Sequence, residues 1–331
     1  MTAAARSTRR GSLIVVVAAS LFAINASVTT VALDAGVSAT NLTWWRCIGA
    51  SVGLLFLLGA TQRDRLRVRR SELPLLLFYG VVGVVLVQLL YAIALNRLSV
   101  SLALLLEFTA PVLVALWARL VLHEPVRPRV WLALVLSLAG LSLVARAWTG
   151  LHLDLGGLLA GLGASVALAI YWLVGERAVN ATPPRDPLSL TFWGTAIGAL
   201  TWFALRPGRL PSVDGFGGST SLTGAFEGVH VPVGLLVVWI CVLGTLVPFV
   251  LEVAAFRHVS ATTVGLIGML EPVGATLVAW LWLNETLNAT QAIGVLVVIV
   301  GIGLAQTARA GAPAPSVAAA EVGSPGSGET Q

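Results

Sequence analysis

The sequence predicts an all-α integral membrane protein in which ten transmembrane helices form two inverted five-helix repeats. Three observations carry this expectation: long apolar runs, one-sided arginines and an internal self-similarity. The chain has 331 residues, of which 57% are hydrophobic and only 11% charged, and its mean hydropathy is +0.91. A soluble domain carries about 25% charged residues. A helix needs about 20 predominantly apolar residues to cross a bilayer core. The runs here reach that length and do not alternate as barrel strands would.

Ten such runs follow one another, at roughly 12–33, 40–60, 73–95, 99–122, 129–147, 154–175, 188–206, 232–256, 260–283 and 288–308. The first, "GSLIVVVAASLFAINAS", is longer than the core of a secretion signal, so it reads as a span. The net charge is +5, and its placement argues against nucleic acid as a partner. Every basic residue is arginine, and most lie in the short breaks between runs. With the N-terminus in the cytoplasm, Arg6, Arg9, Arg10, the "RDRLRVRR" loop, Arg119, Arg127, Arg129, Arg177, Arg185, Arg257 and Arg309 fall inside. Only Arg97, Arg146, Arg206 and Arg209 fall outside. That bias is the positive-inside pattern, and it places both termini in the cytoplasm. Most tryptophans lie near span ends, as an aromatic belt would have them. Cys47 and Cys241 sit inside apolar runs and read as small core residues. The four histidines form no metal motif, and no cofactor is implied. The long break at 207–230, rich in Gly, Ser and Thr, reads as a flexible connector. The stretch 309–331 reads as a disordered tail.

Displaced by 161 residues, the sequence matches itself without gaps: Gly83 with Gly244, Ser99 with Ser260, Pro111 with Pro272, Glu124 with Glu285 and Gly140 with Gly301. Nearer the N-terminus the offset drifts, with Ala19 and Ser20 meeting Ala164 and Ser165. Each half holds five spans. Five is odd, so the second half enters the membrane from the opposite side, the plan of many secondary transporters. The expected divisions are a cytoplasmic segment at 1–11, a first repeat at 12–148, a second at 152–308 and the tail at 309–331.

Three carboxylates lie well within spans: Glu107, Glu252 and Glu271. A charge at the bilayer centre costs about 2.5–3.5 kcal/mol on insertion scales, so each is expected to face a cavity or a partner. Two roles fit: a static bond to a neighbouring helix, or contact with substrate and protons. In the repeat register Glu107 meets Gly268, and Glu271 meets Ala110. The acids are therefore staggered by nearly one turn, on roughly one face. Arg46, in the second span, reads either as an interfacial anchor or as the partner of a carboxylate, a substrate or the protein. Asn25, Gln88 and Tyr91 are the interior polar groups best placed to line a pathway, with Asn96, Tyr171 and Trp172 ranked after them. Pro111 and Pro272 read as hinges or as packing kinks.

"APVLVALWARLVLHEP" and its counterpart "EPVGATLVAWLWLNET", with "WWR" around Arg46 and "VPFVLEVAAFRHVSATT", resemble the EamA-type permeases of the drug/metabolite transporter superfamily. "LLEFTAP" is similar to the LEF-x-x-P stretch of the branch that includes threonine/homoserine exporters. The resemblance covers residues 12 to 308. It implies a non-enzymatic secondary transporter that moves amino acids or related small solutes, outward, by alternating access. Proton coupling through Glu107 or Glu271 is compatible with it. Other readings left open are a passive channel or sensor and, with no catalytic cluster in view, a membrane-embedded enzyme. The implied partners are a small solute and lipid.

Overall fold

The computed structural model describes residues 3–98, 100–146 and 154–310. It is built almost wholly of helix: α1 Ala3–Asp34, α2 Ala39–Thr61, α3 Arg70–Leu95, α4 Leu102–Leu120, α5 Pro128–Val144, α6 Leu155–Asn180, α7 Pro187–Leu205, α8 Val233–Ala255, α9 Ala261–Trp282 and α10 Ala289–Ala310. Eight of these are long and apolar enough to cross a membrane, α5 is a shorter apolar helix, and α10 is apolar over Ala289–Ala305. Eight of the ten expected spans therefore meet such helices, and the other two coincide with the apolar helices α5 and α10. Helix α1 begins inside the expected 1–11 segment, and α10 runs to Ala310, two residues into the expected tail. The remainder of that tail lies outside the described residues, as do Ser99 and 147–153.

The helix starts follow from local chemistry. The Ser38 side chain accepts from the Asn41 N–H at the start of α2, and Asp154 accepts from Gly157 at the start of α6. Asp186 caps α7 through the Leu188 and Ser189 N–H groups, with Pro187 next in line. Proline suits a first turn because its missing N–H would have no partner there.

Several irregularities recur in the 161-residue register. Helix α3 passes through a π-helical stretch at Tyr79–Leu86, and α8 through one at Val242–Leu246. Helix α4 is interrupted at Phe108 and Thr109, and α9 at Met269. After α4, His123 takes a φ of 55°, and after α9, Asn284 takes 57°. Left-handed backbone is uncommon outside glycine, so two such residues at matched positions mark one loop used twice.

Helices α5 and α10 meet backbone to backbone. A Cβ on Gly140 would lie 2.8 Å from the Gly294 carbonyl oxygen and from the Val298 nitrogen, and one on Gly301 would lie 2.6 Å from Ser137 Oγ. Contact positions rise along one helix as they fall along the other, so these repeat-related helices run antiparallel. Small residues permit such approach where no hydrophobic drive exists between helices. Gly140→Leu is expected to destabilise the protein by about 1–3 kcal/mol through overpacking. Val135→Leu on the exposed face of α5 should leave thermal unfolding in detergent unchanged.

The connector after α7 is ordered, contrary to the expected flexible loop. β1 Ser219–Ser221 pairs antiparallel with β2 His230–Pro232. Leu222 accepts a hydrogen bond from Trp282 Nε1, and the Ser212 carbonyl accepts one from Trp45 Nε1, both at 3.0 Å. Phe216 and Leu222 pack with Val28, Val31 and Leu42. The hairpin thus supplies acceptors and apolar cover to helix ends that present indole N–H groups. Nor do all tryptophans form an end belt, because Trp44 is fully buried.

Candidate functional site

The two halves exchange their first helices. Helix α1 packs on α8 and α9, whereas α6 packs on α3 and α4. Gly11 of α1 sits against His258 and Val259, and Gly157 of α6 against Arg97 and Leu98. The second pair is the repeat counterpart of the first. It also fixes the structural offset between α1 and α6 at 146 residues, where sequence matching alone drifts. In that register Asn25 corresponds to Tyr171, and Ala26 to Trp172. Each partner then meets a matched glycine in a π-helical stretch. A Cβ on Gly83 would lie 2.8 Å from Tyr171 Cδ2, and one on Gly244 would overlap Asn25 Oδ1.

Between these helices lies a cavity of about 480 Å³. All seven candidates from the sequence line it: Asn25, Arg46, Gln88, Tyr91, Glu107, Glu252 and Glu271. Pro272 lines it as well. Pro111 does not, and instead lies against Gly265 across the α4–α9 contact. Phe22, Tyr171, Trp172 and Phe249 complete an aromatic wall. Asn96 lies at the end of α3, outside the lining.

The scaffold keeps the repeat register, and the lining breaks it. Glu252 stands where the first half has Tyr91, and Phe249 where it has Gln88. The outcome is a lining that holds one arginine and three carboxylates drawn from both halves, with Glu271 the acid within electrostatic reach of Arg46. Arg46 donates through Nε to Thr245 Oγ1 at 2.9 Å and through Nη2 to the Gly244 carbonyl at 3.3 Å. Its fixed partners thus belong to the π-helical stretch of α8, where Thr245 Oγ1 donates to the Ile240 carbonyl five residues back. A π turn displaces backbone groups from the α ladder and is frequent at functional sites. Glu252 accepts from Trp172 Nε1 at 2.8 Å. Among the described residues, Glu107 and Glu271 have neither a hydrogen bond nor an ion pair. Glu271 lies within electrostatic reach of Glu107, Glu252 and Arg46. The described residues hold no cluster of three or more metal-ligating side chains.

The cavity opens at one end only. Ala26 and Thr30 are exposed along its wall, whereas Val15, Ala18 and Ala19 are buried. Its mouth therefore faces the end that carries the hairpin. At the closed end, the last turn of α6 grips the turn between α8 and α9. Asn180 Nδ2 donates to the Phe256 carbonyl at 2.9 Å, and Glu176 Oε2 accepts from the Ala261 N–H at 3.0 Å. Ser7 Oγ meets His258 Nδ1 at 3.0 Å. Burial holds the His258 imidazole below its ordinary range, with Arg10 and Arg257 adding to it. Asp186 pairs there with Arg65 at 2.5 Å and Arg257 at 3.5 Å. At the opposite end, the Gly157 N–H and then Arg97 hold the Asp154 carboxyl below the usual carboxylate range.

The sequence profile of the EamA-like transporter family matches the chain twice, over residues 9–146 and 155–307. The threonine/homoserine exporter RhtA of Escherichia coli (strain K12) is 29% identical over 250 residues, covering 75% of this chain and 76% of the relative. The uncharacterized transporter YdfC of Bacillus subtilis (strain 168) is 24% identical over 266 residues, covering 80% and 81%. A solved crystal structure of another protein superposes with a TM-score of 0.69 at 18% identity, covering 90% of this chain and 96% of that one.

Proposed function

Since the chain belongs to the EamA-like transporter family and is thus a membrane transporter, we propose that it is a secondary active exporter of amino acids or related zwitterions, working by alternating access. One observation carries the substrate class: one cavity lining holds an arginine, three carboxylates and an aromatic wall. A guanidinium binds a carboxylate with matched geometry, and a carboxylate receives an ammonium. The threonine/homoserine exporter among its relatives fits that chemistry. In this reading Glu107 and Glu271 carry the coupling proton, since among the described residues no hydrogen bond or ion pair ties either to the protein. Glu252 orients Trp172, and Arg46, Asn25, Gln88 and Tyr91 contact the solute. Pro111 and Pro272 serve as hinges beside the interruptions of α4 and α9. The halves at 12–148 and 152–308 move against one another in the cytoplasmic membrane, with both termini inside.

The exchange of first helices supports the alternation. Helix α6 joins α3 and α4 to the α8–α9 turn, whereas α1 makes no comparable contact with α3 or α4. In the 146-residue register Thr30 and Asp34 of α1 occupy the places of Glu176 and Asn180. The opposite state closes the mouth when the end of α1 meets the α3–α4 turn and α6 releases the α8–α9 turn. Purified protein in liposomes loaded with threonine should show saturable counterflow of labelled threonine or homoserine. Flux that rises linearly with concentration, with no trans-stimulation, would point to a channel instead.

A further inference from the structure

We propose that a second, smaller cavity at the closed end binds the phosphodiester headgroup of an anionic membrane lipid. This cavity, of about 190 Å³, lies between the start of α3 and the turn joining α6 to α7, and shares no lining residue with the central one. One wall is apolar, made by Leu75, Leu76, Ala178 and Pro183. Leu75 is also exposed, as are Leu77 and Phe78 beyond it, so the cavity runs out onto the lipid-facing surface of α3. The other wall carries Arg69, Ser71, Glu72 and Arg185.

The polar wall is only partly committed. The Arg185 side chain is only 12% exposed. Its Nη1 donates to Glu72 Oε2 at 2.7 Å and to the Arg67 carbonyl at 3.2 Å, and its Nη2 donates to Ser189 Oγ at 2.8 Å. Its Nε is buried with no acceptor. Leaving a buried donor unmade costs about 1–3 kcal/mol, more for a charged group; this nitrogen is closed off from the cavity, so an anion there meets the guanidinium by its other edge or after the side chain turns. One oxygen of the Glu72 carboxylate is already shared between Arg185 and the Arg69 N–H. The neighbouring arginines differ in their commitments. Arg65 is paired with Asp186 and Arg67 with Asp64, whereas the Arg69 side chain has no ion pair among the described residues. An oxyanion placed between Arg69 and Arg185 would complete the set. Basic pockets beside transmembrane helices take anionic headgroups in this way. The apolar wall favours an ion that carries acyl chains over a free one.

The test uses the full-length protein in detergent, with binding of short-chain phosphatidylglycerol, phosphatidylcholine and inorganic phosphate followed by native mass spectrometry. Phosphatidylglycerol should bind in preference to phosphatidylcholine, and Arg69→Gln should weaken it about fivefold. Arg63→Gln, an exposed change outside the cavity, should leave that affinity intact. Arg185→Lys keeps the charge but removes the fork, and should weaken binding while Glu72 stays paired. Equal loss from Arg63→Gln and Arg69→Gln would replace the cavity with diffuse attraction to the loop and overturn the proposal. Inorganic phosphate displacing the lipid at equal concentration would reassign the site to a soluble anion. None of these outcomes depends on whether threonine is the transported solute.

Discussion

Glu107→Gln and Glu271→Gln should each abolish pH-gradient-driven export of threonine from liposomes while leaving counterflow at equal pH largely intact. Glutamine fills nearly the same space as a protonated glutamate but releases no proton. Neither acid has a hydrogen bond or ion pair among the described residues, so neither change strips a partner there. A carboxylate near the bilayer centre carries an insertion cost of about 2.5–3.5 kcal/mol, and removing the charge should if anything raise thermal stability. Glu252 behaves differently. Its oxygen accepts the Trp172 N–H, so Glu252→Leu should destabilise the protein by about 1–3 kcal/mol. Glu252→Gln keeps an acceptor and should not. Gradient-driven flux surviving in both Glu107→Gln and Glu271→Gln would remove these acids from the coupling step.

Breaking the grip of α6 should open the closed end. The double change Glu176→Ala and Asn180→Ala deletes two hydrogen bonds to the α8–α9 turn, one of them to a carboxylate. Together these are worth about 2 kcal/mol, or roughly thirtyfold in the population with that end open. Single cysteines at Ala18 and Ala26, placed in a Cys47→Ser, Cys241→Ser background, report the two ends. In the parent, a membrane-impermeant maleimide should label the Ala26 position from one face and miss the Ala18 position. In the double variant the Ala18 position should label from the opposite face, and labelling at Ala26 should slow. Adding Asp34→Ala should restore labelling at Ala26, because the end of α1 then lacks its contact. If labelling at Ala18 stays unchanged in a well-folded double variant, α6 is not the gate.

Much of this architecture was legible in the sequence. Span positions follow from apolar run length, and the helices begin and end within a few residues of them. The largest difference is at α1, which starts nine residues before the expected span; α6 runs five residues past its expected end, because Glu176 and Arg177 look like the start of a loop. They are helical because Glu176 finds the Ala261 N–H, a partner far away in the chain. The polar cavity groups were legible because charge within a span has no stable place against lipid. Tyr171, Trp172 and Phe249 were ranked low or missed, since aromatic rings suit lipid, helix contacts and cavities alike. The π-helical stretches have no composition signature. They depend on which i→i+5 bonds the neighbours permit, as with Thr245 held beneath Arg46. The ordered hairpin was hidden for a related reason: its polar residues read as loop, while its anchors are two distant indole N–H groups.

The glycine seam of α5 and α10 has a mechanical consequence. Backbones this close resist sliding, because any shift along the axis would drive a carbonyl into the facing helix. Under alternating access the seam is therefore a fulcrum, and the travel falls on the far sides of the bundle, at α1 and α6. Their matched glycines, Gly11 and Gly157, then act as bearing surfaces on which each lever arm turns. A ligand wedged beside either one would jam the cycle without entering the central cavity.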